Sequence, residues 1–184
     1  MIRQGTRKTG DQLLQNGLGF GGWSINPQSR PTTFAAAANT AYAAAVGIPG
    51  GTTITNIIFA LTTIPTTNNP TSTRVGVLNS SRVCLAVSGD IGTAMKSMTI
   101  GLPLAHALSA PYVTLADDLY FLVYWMEGSF SGTAPVFHAT SGQNQAALSG
   151  FPLQAGTINA TGADLTVSST YTITNANGIW LAWN

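Results

Sequence analysis

One unbroken apolar run, Leu119 to Met126, constrains this chain more than any other segment. It reads Leu-Tyr-Phe-Leu-Val-Tyr-Trp-Met and is bounded by Asp117-Asp118 on one side and Glu127-Gly128 on the other. Its length and its aromatic content favour a strand over a helix. A strand that is apolar at every position has two faces to cover, so it belongs at the centre of a sheet.

The rest of the chain from Thr32 onward carries matching signals. Short β-branched or aromatic runs recur between Gly, Pro, Asn and Asp punctuation, and strands are expected over Thr53–Thr62, Arg74–Leu78, Val83–Val87, Lys96–Leu104, Tyr112–Leu115, Leu165–Val167 and Ile179–Trp183. Asn79-Ser80-Ser81 marks a tight turn. Ala35–Val46 is ambiguous, because its alanines favour helix. Asn39-Thr40 interrupts it and Pro49-Gly50-Gly51 ends it at a turn, so it is read as strand. Strands this frequent, without helices between them, predict an all-β sandwich or barrel. The stretch from Ser129 to Gly156 is rich in Gly, Ser and Gln and reads as long loops that could face a partner.

The first thirty residues differ from the remainder. They are polar and Gly-rich, and they hold Arg3, Arg7, Lys8 and Arg30 against Asp11, whereas the rest of the chain is net acidic. We read residues 1–30 as an extended arm and 31–184 as the β domain. A solvated tail has little use for Leu13, Leu14, Leu18, Phe20 and Trp23. Leu13, Leu14, Phe20 and Trp23 are therefore the expected partner-binding anchors, holding the arm on another subunit.

Charge is scarce throughout: 7 Lys or Arg and 6 Asp or Glu among 184 residues. Soluble domains usually hold about a quarter charged residues, and charge is what keeps such surfaces apart in solution. A chain so poor in charge is expected to pack against copies of itself. Few ionisable groups are left for catalysis, and four cations without an aromatic ladder do not make a nucleic-acid patch. No apolar run approaches the roughly 18 residues of a membrane span, and the start has no apolar segment of the secretory kind. The sequons at Asn79 and Asn159 therefore read as chance matches.

No motif rises to a chemical site. Gly17-Leu18-Gly19-Phe20-Gly21-Gly22 fits a dinucleotide-binding spacing, but no strand precedes it and Pro27 and Pro31 follow, so it reads as a glycine hinge. Gly128-Ser129-Phe130-Ser131-Gly132 fails as a nucleophile elbow because Phe130 occupies its centre. His106 and His138 stand alone without metal spacing and read as ordinary hydrogen-bonded histidines. Asp117-Asp118 reads as a turn, and Glu127 has no evident acid partner for glycoside hydrolysis. Cys84, the single cysteine, reads as a small buried hydrophobe. Trp125 is expected in the core. Ile179–Trp183 is expected to present Trp180 and Trp183 on one face of a terminal strand, as core rather than as a sugar platform. No cofactor and no metal are expected.

An ordered series of segments resembles the β-sandwich domains of tailed-bacteriophage virion proteins, which include capsid decoration proteins and minor-tail or tail-fibre heads. The segments are Val46–Ile57 with its Pro49-Gly50 turn, Arg74–Leu78, Leu85–Asp90, Leu104–Val113, Leu119–Val123 and Ile179–Ala182. The resemblance runs from Ala45 to the last residue and leaves the first thirty residues unmatched. Asp117-Asp118 departs from it, standing where the family more often has a glycine turn. The resemblance implies an antiparallel jelly-roll-like β-sandwich, usually a homotrimer, without catalysis. The expectation is a structural protein on the virion surface, a decoration or cement protein whose arm laces onto a major capsid or tail protein. The alternative is a tail-tip or tail-fibre receptor-binding module that holds a host-surface glycan. Nucleic acid and membrane are not expected partners.

Overall fold

The computed structural model describes residues 19–24, 32–64, 72–128, 133–139, 155–161, 164–175 and 179–184. The strands are β1 (Gly22–Trp23), β2 (Thr32–Ala35), β3 (Thr40–Ile48), β4 (Thr53–Phe59), β5 (Leu61–Thr63), β6 (Ser72–Leu78), β7 (Cys84–Val87), β8 (Leu104–Val113), β9 (Asp118–Glu127), β10 (Val136–Ala139), β11 (Ala155–Asn159), β12 (Thr174–Asn175) and β13 (Ala182–Trp183), and a short helix, α1 (Gly92–Lys96), follows β7. They form a six-stranded sheet in the order β12-β11-β3-β9-β6-β7, a four-stranded sheet β1-β13-β4-β8 and a three-stranded sheet β2-β10-β5. Every pairing between them is antiparallel. The protein is all-β, as expected.

β9 lies inside the large sheet, between β3 and β6. Alternation sends Tyr120, Leu122, Tyr124 and Met126 to one face and Phe121, Val123 and Trp125 to the other, and both faces are buried. The first set meets Tyr42, Ala44, Val46 and Ile48 of β3, Ile54, Ile57 and Phe59 of β4, and Phe137 of β10 in the main core. Phe59, Tyr124 and Phe137 pack ring against ring there, with Tyr124 and Phe137 centroids 4.7 Å apart at 66°. The smaller sheets thus supply the opposing layer. Single bridges, Ser88 to Leu108 and Ala139 to Ile179, tie β7 to β8 and β10 to the approach of β13.

The outer face of the large sheet is covered by the chain itself. Leu165, Ile173 and half-buried Tyr171 lie over Ala41, Ala43, Phe121, Val123 and Trp125. Alanine at 41 and 43 leaves room for this covering segment, so β3 is a strand despite its helix-favouring composition. Cys84 is buried in the same cluster, and burial pushes its thiol up to about 11, consistent with a packing role. Arg74 holds the covering segment from beneath: its Nε donates to the Asp164 carboxylate at 2.8 Å while Nη1 donates to the Ser88 carbonyl at 3.0 Å. Ser72 donates to the same carboxylate at 2.9 Å.

Several expected strands are placed differently. Lys96–Leu104 is not a strand: α1 occupies Gly92–Lys96 and β8 begins only at Leu104. The Asp90 carboxylate accepts from the Thr73 and Gly92 amides at 2.9 and 3.0 Å and so seats the turn into α1. The apolar signal in this stretch comes from Met98, which enters the main core from the turn after α1, and from Ile100, Leu102 and Leu104, which are exposed. Tyr112 and Val113 belong to the end of β8 rather than to a separate strand. Leu165–Val167 forms no strand, and only Ala182–Trp183 of the last segment does. Trp180 and Trp183 do not share a face: Trp183 is in the main core, Trp180 in an outer cluster with Trp23, Ile58, Ala60 and Ala182. They are three positions apart, an odd step in a period of two.

The turns follow expectation. Asn79 closes its turn by accepting the Arg82 amide at 2.8 Å, and its side chain accepts the Val83 amide at 2.9 Å. Gly51 takes φ +75° between β3 and β4, where glycine avoids a Cβ clash. Asp117 accepts the Gly50 amide at 2.7 Å, joining that turn to the approach of β9.

Candidate interaction surface

Leu13 and Leu14 lie outside the described residues, as does Leu18. Phe20 and Trp23 are described, and the structure brings them together on the chain's own four-stranded sheet. β1 pairs with β13 in the register Gly22 to Trp183 and Trp23 to Ala182. The Gly21 amide donates to the Trp183 carbonyl at 2.7 Å, and the Ser24 amide to the Leu181 carbonyl at 2.8 Å. Ser24 Oγ donates to the Ile179 carbonyl at 3.2 Å and accepts the Leu181 amide at 3.0 Å. Two cross-strand rows result. Trp23, Ala182, Ile58 and Ala105 line the outer face, while Gly22, Trp183, Ile57 and His106 line the inner one.

Side chains fix this strand in place. Phe20 meets Trp23 and Trp180 edge-on, with centroids 6.1 and 5.7 Å away. Trp23 is buried. A Cβ on Gly21 would run into the Trp183 indole, and one on Gly22 would lie 2.9 Å from Trp183 Nε1. These two glycines are therefore needed for close approach, and the hinge reading is replaced by a packing one at these positions.

A second surface lies along β8, the edge of its sheet. Pro111, which cannot donate to a ladder, is tolerated there because the strand is an edge. Ile100 (57%), Leu102 (58%) and partly Leu104 are exposed at its start, Val113 (50%) and Leu115 (90%) at its end. No Asp, Glu, Lys or Arg occurs from Ser97 to Ala116. Thr114 makes the far end rigid: its hydroxyl donates to the Pro49 carbonyl at 2.6 Å and accepts the Thr52 amide at 2.9 Å, and its carbonyl accepts the Gly51 amide at 2.7 Å. Leu115 is thus held out to solvent on an ordered corner, a feature no sequence pattern announced.

Among the described residues, apart from the Arg74–Asp164 pair, the ionisable side chains do not converge on one site. His106 points inward from β8, stacked on Phe59 at 4.9 Å and 19°. Its Nε2 finds no hydrogen-bond partner among the described residues, unlike the ordinary bonded histidine expected, and burial lowers its pKa to about 4. His138 lies on β10 opposite Thr33. Asp118 accepts the Ser80 hydroxyl at 2.8 Å and its own strand's Leu119 amide at 2.7 Å, which together hold it below the usual carboxylate range. Among the described residues no group of His, Cys, Asp and Glu is arranged to hold a metal ion, and no helix is long and apolar enough to cross a membrane. No protein-family model matches the chain, and no curated protein matches it.

Proposed function

We propose that this chain is a non-catalytic structural protein of a phage particle, a decoration or cement protein that assembles on the virion surface as a homotrimer with a jelly-roll-like domain. The observation that carries the self-assembly is the pair of bare apolar ends of β8, Ile100 with Leu102 and Val113 with Leu115, on a stretch without a single charge. Exposed apolar side chains on an ordered, uncharged edge favour burial against another protein surface. A second copy of the same charge-poor chain meets that surface without desolvating an ion. The virion setting rests on the ordered resemblance from Ala45 to the last residue and on the basic balance of the first thirty residues, which suits docking on an acidic protein surface. Many copies acting together would give such contacts their strength.

The test is copy number by mass spectrometry on purified particles with heads and tails separated. High copy number on heads is the expected result. Low copy number on tails would move the function to receptor binding, and absence from particles would overturn the virion assignment.

A further inference from the structure

His106 holds down a segment that has no other buried side chain. From Thr99 to Ala107 every residue except His106 is exposed, whereas Met98 before it and Leu108 after it are buried. Backbone bonds supply the remaining hold: Leu104–Ala107 pair with Asn56–Phe59 of β4, and the Gly101 amide donates to the Leu61 carbonyl at 2.8 Å. β8 then leaves β4 after Ala107, rejoins it at Tyr112, and meets the end of β7 at the bridge from Leu108 to Ser88. We infer that His106 is an acid-sensitive pin: when its imidazole takes up a proton, residues 99–107 detach from β4 as a unit while Met98, Leu108 and the large sheet stay in place. The segment carries Ile100, Leu102 and Leu104, one of the two apolar ends invoked for self-assembly, so the consequence for assembly rests on that reading.

Geometry makes the opening local. The imidazole lies flat on Phe59, and its Nε2 has no hydrogen-bond partner among the described residues. A proton added there places a charge in an apolar site with nothing to receive it. Swinging the ring out costs the few backbone bonds of an edge segment, far less than unfolding the core, and thinly packed edges are where such partial openings occur. Among the described residues no other titrating group offsets the charge. β4 has none. On β8 itself, Tyr112 lies beyond the excursion that begins at Leu108. Of the other strands packed against β8, β7 contributes Cys84, which belongs to the opposite cluster, and β6 contributes Arg74, which shares the outer face with Trp125 and is bound to Asp164. Tyr124 meets the same Phe59 ring, and its buried phenol is neutral in acid. The Asp90 carboxylate is engaged by the Thr73 and Gly92 amides, and Lys96 is exposed.

The experiment is hydrogen exchange read by mass spectrometry on the full chain and on His106→Phe, at pH 7 and pH 4.5, with rates divided by those of the unstructured peptide. With the pKa moved from 6.5 to about 4, opening of residues 104–107 should rise roughly 50-fold in the parent between these two pH values and stay level in the variant. At pH 4.5 that opening should be more frequent than that of residues 119–127 by about tenfold or more, a comparison that needs no variant. Equal protection of the two segments would mean that the proton unfolds the whole domain, and it overturns the pin. So does a rise that persists in His106→Phe, or no rise at all. Subunit exchange between assemblies of natural isotopes and assemblies labelled with ¹⁵N should quicken at pH 4.5 in the parent only; equal rates in parent and variant overturn the link to assembly. A chain that sediments as a monomer at every concentration at pH 7 overturns the self-assembly reading and leaves the pin to stand or fall on hydrogen exchange.

Discussion

His106 gives the chain a calculable sensitivity to mild acid. The imidazole sits in the inner row after Trp183 and Ile57, flat on Phe59, whose ring also meets those of Tyr124 and Phe137. Among the described residues no carboxylate is hydrogen-bonded to it. Burial alone lowers its pKa from 6.5 to about 4. The unfolded chain therefore takes up the proton first. His106 costs nothing above pH 6.5, and stability falls as the pH drops from 6.5 towards about 4, after which this group adds no further loss. At about 1.36 kcal/mol per pH unit, the full loss is about 3 kcal/mol. That is a large share of the roughly 5–15 kcal/mol that holds most domains folded. Asp118, held below 3.8 by its hydrogen bonds, contributes stability that is complete above 3.8 and is lost only as the pH falls through its lowered value, largely outside this window. The assay is urea unfolding at pH 7, 6, 5 and 4 on the parent chain and on His106→Phe, which keeps the ring stack and cannot titrate. The parent should lose about 3 kcal/mol more than the variant between pH 7 and pH 4. Parallel pH profiles for the two chains would refute the reasoning, because the buried imidazole would then not be the group that titrates.

Two further substitutions test other parts of the structure. Leu115→Lys should lower the association constant measured by sedimentation at least tenfold while leaving the thermal midpoint within about 2 °C, since surface changes away from packed features shift stability little. Gly156→Ala should lower stability by about 1–3 kcal/mol in chemical denaturation, the range for overpacking, because a Cβ there would run into the Thr174 carbonyl and the Ile173 side chain where β12 meets β11.

Much of the fold was legible from local pattern, and the failures have definite causes. The run at 119–126 announced a doubly covered strand, and its neighbours in the sheet do cover both sides of it. Lys96–Leu104 misled because Met98, Ile100, Leu102 and Leu104 alternate as in a strand, although only Met98 is buried, in the turn after the helix. The tryptophans of 179–183 misled because a shared face was assumed across an odd number of steps. Of the four expected partner-binding anchors, Phe20 and Trp23 are among the described residues and pack on the chain's own sheet. Which surface they found could not be read from them, because the β13 groove is assembled from residues some 160 positions away. Arg74 and Asp164 were equally opaque, as their ion pair joins residues separated by 90 positions.

The sequence by itself determined the β class, the central strand, the turns at Pro49–Gly51 and Asn79–Arg82, and the poverty of charge. All of these depend on side-chain period, backbone preference and composition, which are properties of neighbours along the chain. Only the tertiary structure decided that Leu165 and Ile173 cover the large sheet, that Gly21 and Gly22 lie under Trp183, that His106 is turned inward and that Leu115 stands out to solvent. Those outcomes depend on which distant surfaces meet, and burial is conferred by the partner surface rather than by the residue that becomes buried.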